Sequence, residues 1–162
     1  MNTDTTQSVW PAILSLIVAL MLAIIPLPGW IEIWRPDWAA LTLIFWSLAL
    51  PRRISLGSAW ITGLALDTLR GALLGQHAIG LTVISYFTVK FHLRLRVFPQ
   101  GQQSMTVAML IAVYHFILFW IDGVAGQTEM SVGRFAPVLS SALIWPLWAK
   151  LLANTQRSDA VP

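Results

Sequence analysis

Apolar residues fall along the chain in six runs separated by short polar, Pro- or Gly-containing breaks. The runs are roughly Val9–Leu27, Trp38–Leu50, Ile54–Leu69, Gln76–Val89, Met105–Ile121 and Phe135–Leu152. A membrane-crossing helix needs about 20 mostly apolar residues, each adding about 1.5 Å. The first and last runs meet that length. The second and fourth are short, so they either extend into interfacial residues or stop part-way across while packed against protein. The pattern predicts an all-α integral membrane fold of six transmembrane helices, with five as the alternative if run two or four lies in the interface. Pro36 is placed to open the second helix at its first position, where a missing N–H costs nothing. Pro51 and the Arg52-Arg53 pair close that helix, and Pro99-Gln100-Gly101 breaks the chain before the fifth run. Pro146 lies inside the last run and predicts a kink there.

Composition points to the same solvent. The 162 residues are 57% hydrophobic and 10% charged, against about 25% charged in a soluble domain, which leaves too little polar surface to face water. Nine Trp residues suit a membrane–water interface. The net charge is +3, but the basic residues sit between apolar runs with no base-reading motif, so nucleic acid is not an expected partner. Without Cys there is no disulfide and no thiolate metal site. Residues 1–8 hold no Lys or Arg, and the first run ends in Pro26-Leu27-Pro28-Gly29-Trp30 without a small-x-small cleavage pattern, so it reads as a retained first span.

With six spans, one side carries Arg52, Arg53, Lys90, Arg94, Arg96, Lys150 and Arg157, and the other Arg35, Arg70 and Arg134. The excess of Lys and Arg marks the cytoplasmic side, so both termini are expected there. Glu32, Asp37, Asp122 and Glu129 then fall on the outer side. The expected organisation is a short cytoplasmic tail over 1–8, one six-helix transmembrane domain over 9–153, and a polar cytoplasmic tail over 154–162.

Polar groups inside the apolar runs are the candidate functional residues. Asp67 lies near the outer end of the third run. A carboxylate at mid-membrane depth costs roughly 2.5–3.5 kcal/mol, less near the interface, so it requires a partner. The expected one is Arg70, three residues on along the same helix face; free N–H groups opening the next helix are a further source of hydrogen bonds. Ser55, Ala59, Gly63 and Asp67 recur at steps of four. Such a small-residue face lets helix backbones approach closely and predicts burial against another helix, within the chain or from a partner. Gly71 and Gly75 continue the spacing into a tight outer turn. His115 shares a face with Ala108 and Ala112 and suits an interhelical hydrogen bond; spacing alone does not assemble it with His77 and His92 into a metal site. Lys90, Arg94 and Arg96 form a basic patch in an alternating segment, read as a frayed helix end near anionic headgroups or a docking patch for a cytoplasmic partner. No Walker loop, HExxH helix, GxSxG elbow or paired-carboxylate set is present, so no enzyme activity is expected.

Arg35-Pro36-Asp37-Trp38, then Trp46-Ser47-Leu48-Ala49-Leu50-Pro51, then Arg52-Arg53-Ile54 and Gly57 precede a string of Gly63, Asp67, Gly71, Leu74, Gly75 and Ala78. In that order, over roughly residues 24 to 151, these motifs resemble the rod shape-determining protein MreD family. The resemblance implies a non-enzymatic inner-membrane subunit of the bacterial cell-wall elongation complex, which governs lateral peptidoglycan synthesis and rod shape. It implies MreC as the direct partner, in a wider complex with MreB, RodA and a class B penicillin-binding transpeptidase, and no cofactor. It also implies a fold similar to the substrate-binding subunits of vitamin transporters, so a small-molecule- or lipid-binding subunit is the alternative function. A membrane enzyme or proton channel would rest on Asp67 and His115 alone.

Overall fold

A computed structural model of the chain describes residues 8–54, 56–127 and 132–158. The expectations for Ser55, Glu129, residues 1–7 and residues 159–162 lie outside the described residues. Within them the fold is all-helical. Its α helices are α1 Trp10–Ile24, α2 Gly29–Glu32, α3 Trp38–Ala49, α4 Leu56–Arg70, α5 Gln76–Val97, α6 Gln100–Val124 and α7 Ala136–Ser158, with a 3₁₀ turn at Val132–Phe135 before α7. Two segments, Gln100–Val124 and Gly133–Arg157, are long and apolar enough to cross a membrane.

Several element ends differ from the sequence pattern for local reasons. The fourth helix does not stop at Val89 but runs on to Val97, because nothing in the alternating 90–97 segment breaks the backbone ladder until Phe98-Pro99. Residues 154–158, expected as tail, prolong α7, which also continues across Pro146. Pro36 is not the first residue of the second helix. Asp37 occupies the N-cap of α3, and Pro36 sits in the turn before it, its carbonyl accepting from the Trp38 N–H at 3.0 Å. The short turn α2 follows Pro26 and Pro28, whose missing donors end α1.

Side-chain bonds fix how neighbouring helices run. Trp46 donates to the Ser15 hydroxyl at 2.7 Å, joining the end of α3 to the early part of α1. Gln76 at the start of α5 meets Asp122 at the end of α6, and Gln103 near the start of α6 reaches the Leu95 carbonyl near the end of α5. The six longer helices therefore alternate in direction. One end of the bundle gathers residues 24–38, 70–77, 122–127 and 132–137; the other gathers 50–54, 56 and 95–103.

Helix α3 is the core. Leu41, Leu43, Ile44 and Trp46 have no exposed surface, and the helix packs on α1, α5 and α7. Trp148 on α7 donates to the Thr42 hydroxyl at 3.1 Å, while its ring lies 4.8 Å from that of Trp38. The outside is the reverse of a soluble surface. Trp10 is 67% exposed, Trp120 67%, Met105 77% and Leu143 80%, and these belong to several faces of the bundle. Burying side chains of this size is worth about 1.5–3 kcal/mol each, so leaving so many outside is stable only in an apolar solvent.

Candidate functional site

The chemistry of the molecule is concentrated at the end of the bundle that gathers residues 24–38, 70–77, 122–127 and 132–137. There a cavity of about 980 Å³ is lined by Arg70, Gln76, His77, His115, Asp122 and Arg134, with Glu32 at its edge and Ile33 and Leu118 supplying apolar wall.

Three aspartates clasp the helices around it. Asp67, fully buried, is near the C-terminal end of α4, where helix carbonyls repel a carboxylate. Its oxygens point instead at the N-terminus of α5. They accept from the Gly75 N–H at 2.8 Å and the His77 N–H at 2.9 Å, and the His77 Nδ1 lies 2.7 Å away. Charge-assisted bonds of this kind are about twice as strong as neutral ones. The partner of Asp67 is therefore the start of α5 and not Arg70. The Arg70 guanidinium turns to the Ala23 carbonyl at 3.5 Å, because the chain reverses at Gly71 immediately after it. Gly71 (φ +63°) and Gly75 (φ +97°) both adopt left-handed backbone, and the Ala72 N–H returns to the Asp67 carbonyl at 3.0 Å, closing α4 in a Schellman turn.

Asp37 is the second clasp. Its carboxylate lies 2.6 Å from the His115 Nε2, linking α3 to α6, and its N–H donates to the Ser141 hydroxyl of α7 at 3.0 Å. The third is Asp122, whose carboxylate accepts from the Gln76 amide at 2.6 Å and from the Arg134 guanidinium. Tyr114, buried, stands between the two histidines, its ring centroid 6.1 Å from His77 and 5.3 Å from His115. Spacing did not associate these histidines, yet they line one cavity.

Arg35 is buried beside this end. It donates to the Ala23 and Ile25 carbonyls and to Glu32 at 2.8 Å, and so caps the open C-terminus of α1, where a cation is favoured. The run Arg35-Pro36-Asp37-Trp38 thus fastens α1, turns the chain, reaches α6 and α7, and packs its Trp38 ring at a tilt against Trp148.

The small-residue face of α4 is occupied inside the chain. A Cβ on Gly63 would lie 2.2 Å from the Ala78 Cα, so the two backbones touch, and Ala59 on the same face is fully buried. That face is the seam between α4 and α5 and offers no surface to a partner. Gly57, Arg52 and Arg53 are exposed at the opposite end, with Pro51 half-buried. Lys90, Arg94 and Arg96 are exposed there too, on the last turns of helix α5.

Sequence reasoning missed Gln76, His77 and Arg134 as site residues and read Asp37 and Asp122 only as outer acids. One signal was available. Asp67-x3-Gly71 and Asp122-x3-Gly126 are the same ending used twice. Gly126 also has positive φ, at +74°, and the Gln127 N–H returns to the Asp122 carbonyl at 2.9 Å. In both, the Schellman turn leaves the acid aimed across the bundle end. The arrangement binds and braces. Each of the three aspartates is already engaged by hydrogen-bond partners, and no group of three or more metal-ligating side chains forms among the described residues.

An all-helical bundle with an apolar exterior, two helices long enough to cross a bilayer and its described acids paired around a cavity at one end defines a membrane protein. Comparison with known proteins gives its family. Residues 4–155 match the family model described as rod shape-determining protein MreD. The chain is also 30% identical over 149 residues to the rod shape-determining protein MreD of Haemophilus influenzae, covering 91% of each chain. It belongs to the MreD family. No solved structure matches it.

Proposed function

We propose that this chain is a multi-pass inner-membrane scaffold of the bacterial rod-shape machinery, with α1, α3, α4, α5, α6 and α7 as its six membrane helices, α3 stopping short inside the bundle, and both termini in the cytoplasm. Membership of the MreD family supports a role in cell shape. The observation that carries the scaffold reading is the distribution of polarity: acids and bases at one end engage each other across helices, and large apolar side chains cover the outside. Such a body is rigid, lipid-soluble and chemically quiet, which suits a subunit that holds others in place. Its direct partner in this reading is MreC, within a complex that includes MreB, RodA and a class B penicillin-binding transpeptidase, and its task is to help direct lateral peptidoglycan synthesis. Since the Gly63 face is filled by α5, the partner must use the exposed apolar faces, α1 foremost, where Ile13, Leu14, Ile17, Val18 and Met21 are all uncovered.

The test is to replace Leu14, Val18 and Met21 together by Ala and to measure co-purification with MreC and rod shape in a strain lacking the native copy. Loss of both, with membrane level unchanged, is the expected result. Full recovery of MreC and of rod shape would overturn α1 as the partner face.

A second reading, a subunit binding a small molecule or lipid, is favoured by the cavity of about 980 Å³ with Arg70 at its wall. Native mass spectrometry of gently purified protein tests it. A stoichiometric adduct lost in Arg70→Gln supports it, and a clean apo mass would refute it.

A further inference from the structure

The end of the bundle remote from the polar cavity has a different chemistry. The described acids, Glu32, Asp37, Asp67 and Asp122, all belong to the cavity end. Arg52 and Arg53 precede α4 at the remote end, and Lys90, Arg94 and Arg96 lie on the last turns of α5. All five are exposed, and among the described residues none is in an ion pair. Between the start of α4 and the flank of α5 a crevice of about 420 Å³ opens, lined by Pro51, Leu56, Tyr86, Val89 and Lys90. Its wall is apolar or aromatic except for that lysine. The Lys90 ammonium lies 5.6 Å from the Tyr86 ring centroid and 5.9 Å from that of Phe91, so cation–π attraction holds it at the crevice. Exposed Phe87, Leu93 and Val97 place acyl-chain chemistry on the same turns as the cations.

We propose that this crevice binds one anionic phospholipid, its acyl chain against Pro51, Leu56 and Val89 and its phosphate facing Lys90 within the field of Arg52, Arg53 and Arg94. The inference rests on the membrane reading above and adds to it a site with a ligand class. Five cations without a described acid need counter-charge, and the nearest in a bilayer is a lipid headgroup. A zwitterionic headgroup carries its own cation and gains little. An anionic one gains roughly fivefold in partitioning per neighbouring Lys or Arg, an attraction that salt weakens. The crevice adds what a diffuse surface field lacks: a fixed apolar slot that selects a lipid over a soluble anion.

The full chain in detergent, mixed with equimolar phosphatidylglycerol and phosphatidylcholine, tests this by native mass spectrometry. One phosphatidylglycerol per chain is expected in preference to phosphatidylcholine, with retention about fivefold weaker in Lys90→Gln. Leu56→Trp, or Val89→Trp where the first does not fold, fills the crevice while every charge stays, and removes the retained lipid. Equal retention of both lipids would overturn the site, and so would undiminished phosphatidylglycerol binding in a monodisperse crevice-filled variant. An acidic polypeptide cross-linked at residue 94 in place of lipid would also overturn it. Recovery of the chain from the soluble fraction without detergent would instead sink the membrane reading, a result none of these measurements imitates.

Discussion

Adding a single methyl group at Gly63 is the most informative perturbation of this fold. Its Cβ would stand 2.2 Å from the Ala78 Cα, 2.5 Å from the Ala78 nitrogen and 2.9 Å from the His77 carbonyl carbon. All three are backbone atoms that no rotamer change can move. Ordinary carbon–carbon contact lies at about 3.5–4.0 Å, so α4 and α5 must separate by about 1.3–1.8 Å. Asp67 is one turn further along the same seam, with bonds of 2.7–2.9 Å to the start of α5. A shift of that size takes them beyond hydrogen-bonding distance. Overpacking costs about 1–3 kcal/mol, and a bond to a charged group contributes about 1.5–3 kcal/mol. The helix-propensity gain of alanine over glycine returns about 1 kcal/mol. The net loss for Gly63→Ala is on the order of 1.5–5 kcal/mol, a fall in melting temperature of about 3–20 °C. Thermal unfolding in detergent, followed by tryptophan fluorescence, measures it. Gly80→Ala is intermediate, because its obstacle at 2.6 Å is the Tyr114 side chain. Gly101→Ala and Gly123→Ala, with nothing within 4 Å, leave the melt unchanged or raised. A Gly63→Ala protein that melts together with Gly123→Ala would refute the close crossing and the clasp built on it.

Gly75→Ala has open space for its Cβ but forces a left-handed backbone at φ +97°, at about 1–2 kcal/mol; a melt equal to wild type would contradict the turn. A double-mutant cycle over Asp37→Asn and His115→Gln is expected to give a coupling of about 1–3 kcal/mol across the 2.6 Å contact, and a coupling near zero would dissolve the α3–α6 link. Arg134→Gln leaves the buried Asp122 carboxylate with Gln76 alone. Faster amide exchange at residues 132–135 is expected, with a stability loss of about 1–3 kcal/mol, tempered because Arg134 is itself 29% exposed. Unchanged exchange there would show that the pair does not tether the 3₁₀ turn.

The sequence already carried the helical class, since long apolar runs broken by Pro and Gly leave the backbone few other ways to satisfy itself in hydrocarbon. It also carried the importance of Gly63, Asp67, Gly71 and Gly75, because glycine and a buried acid are legible by what they lack or need. What it left open was which source prevails at Asp67, the Arg70 side chain or the N–H groups opening the next helix. Spacing of three along a helix favours Arg70, whereas the left-handed turn at Gly71 and Gly75 folds the N–H groups of α5 back onto the carboxylate, and a turn's direction is a three-dimensional fact. The pairing of Asp37 with His115 joins residues 78 positions apart, beyond any periodicity. The extent of α5 is a different case: the alternating Lys90–Phe98 segment reads as a helix end from its place after a span, and the helix propagates through it to Val97 at little cost once nucleated.

The short central helix explains why these charged groups meet where they do. With 12 residues, α3 extends about 18 Å, well under the roughly 30 Å of a hydrocarbon core. Facing lipid, it would leave terminal N–H and C=O groups unsatisfied inside the bilayer. Enclosed by α1, α5 and α7, it can stop short, because protein groups meet its end: the Asp37 N–H finds Ser141, and the Asp37 carboxylate finds His115. The 25 residues of α6 and the start of α5 continue past that point and wall the cavity in which His77, His115 and Asp122 are held. A longer α3 would fill that volume with backbone. The cavity and its paired charges therefore follow from helix length, and the Arg35-Pro36-Asp37-Trp38 turn is what sets that length, by ending the approach from α1 and capping α3 at a depth where acids and bases can still find each other.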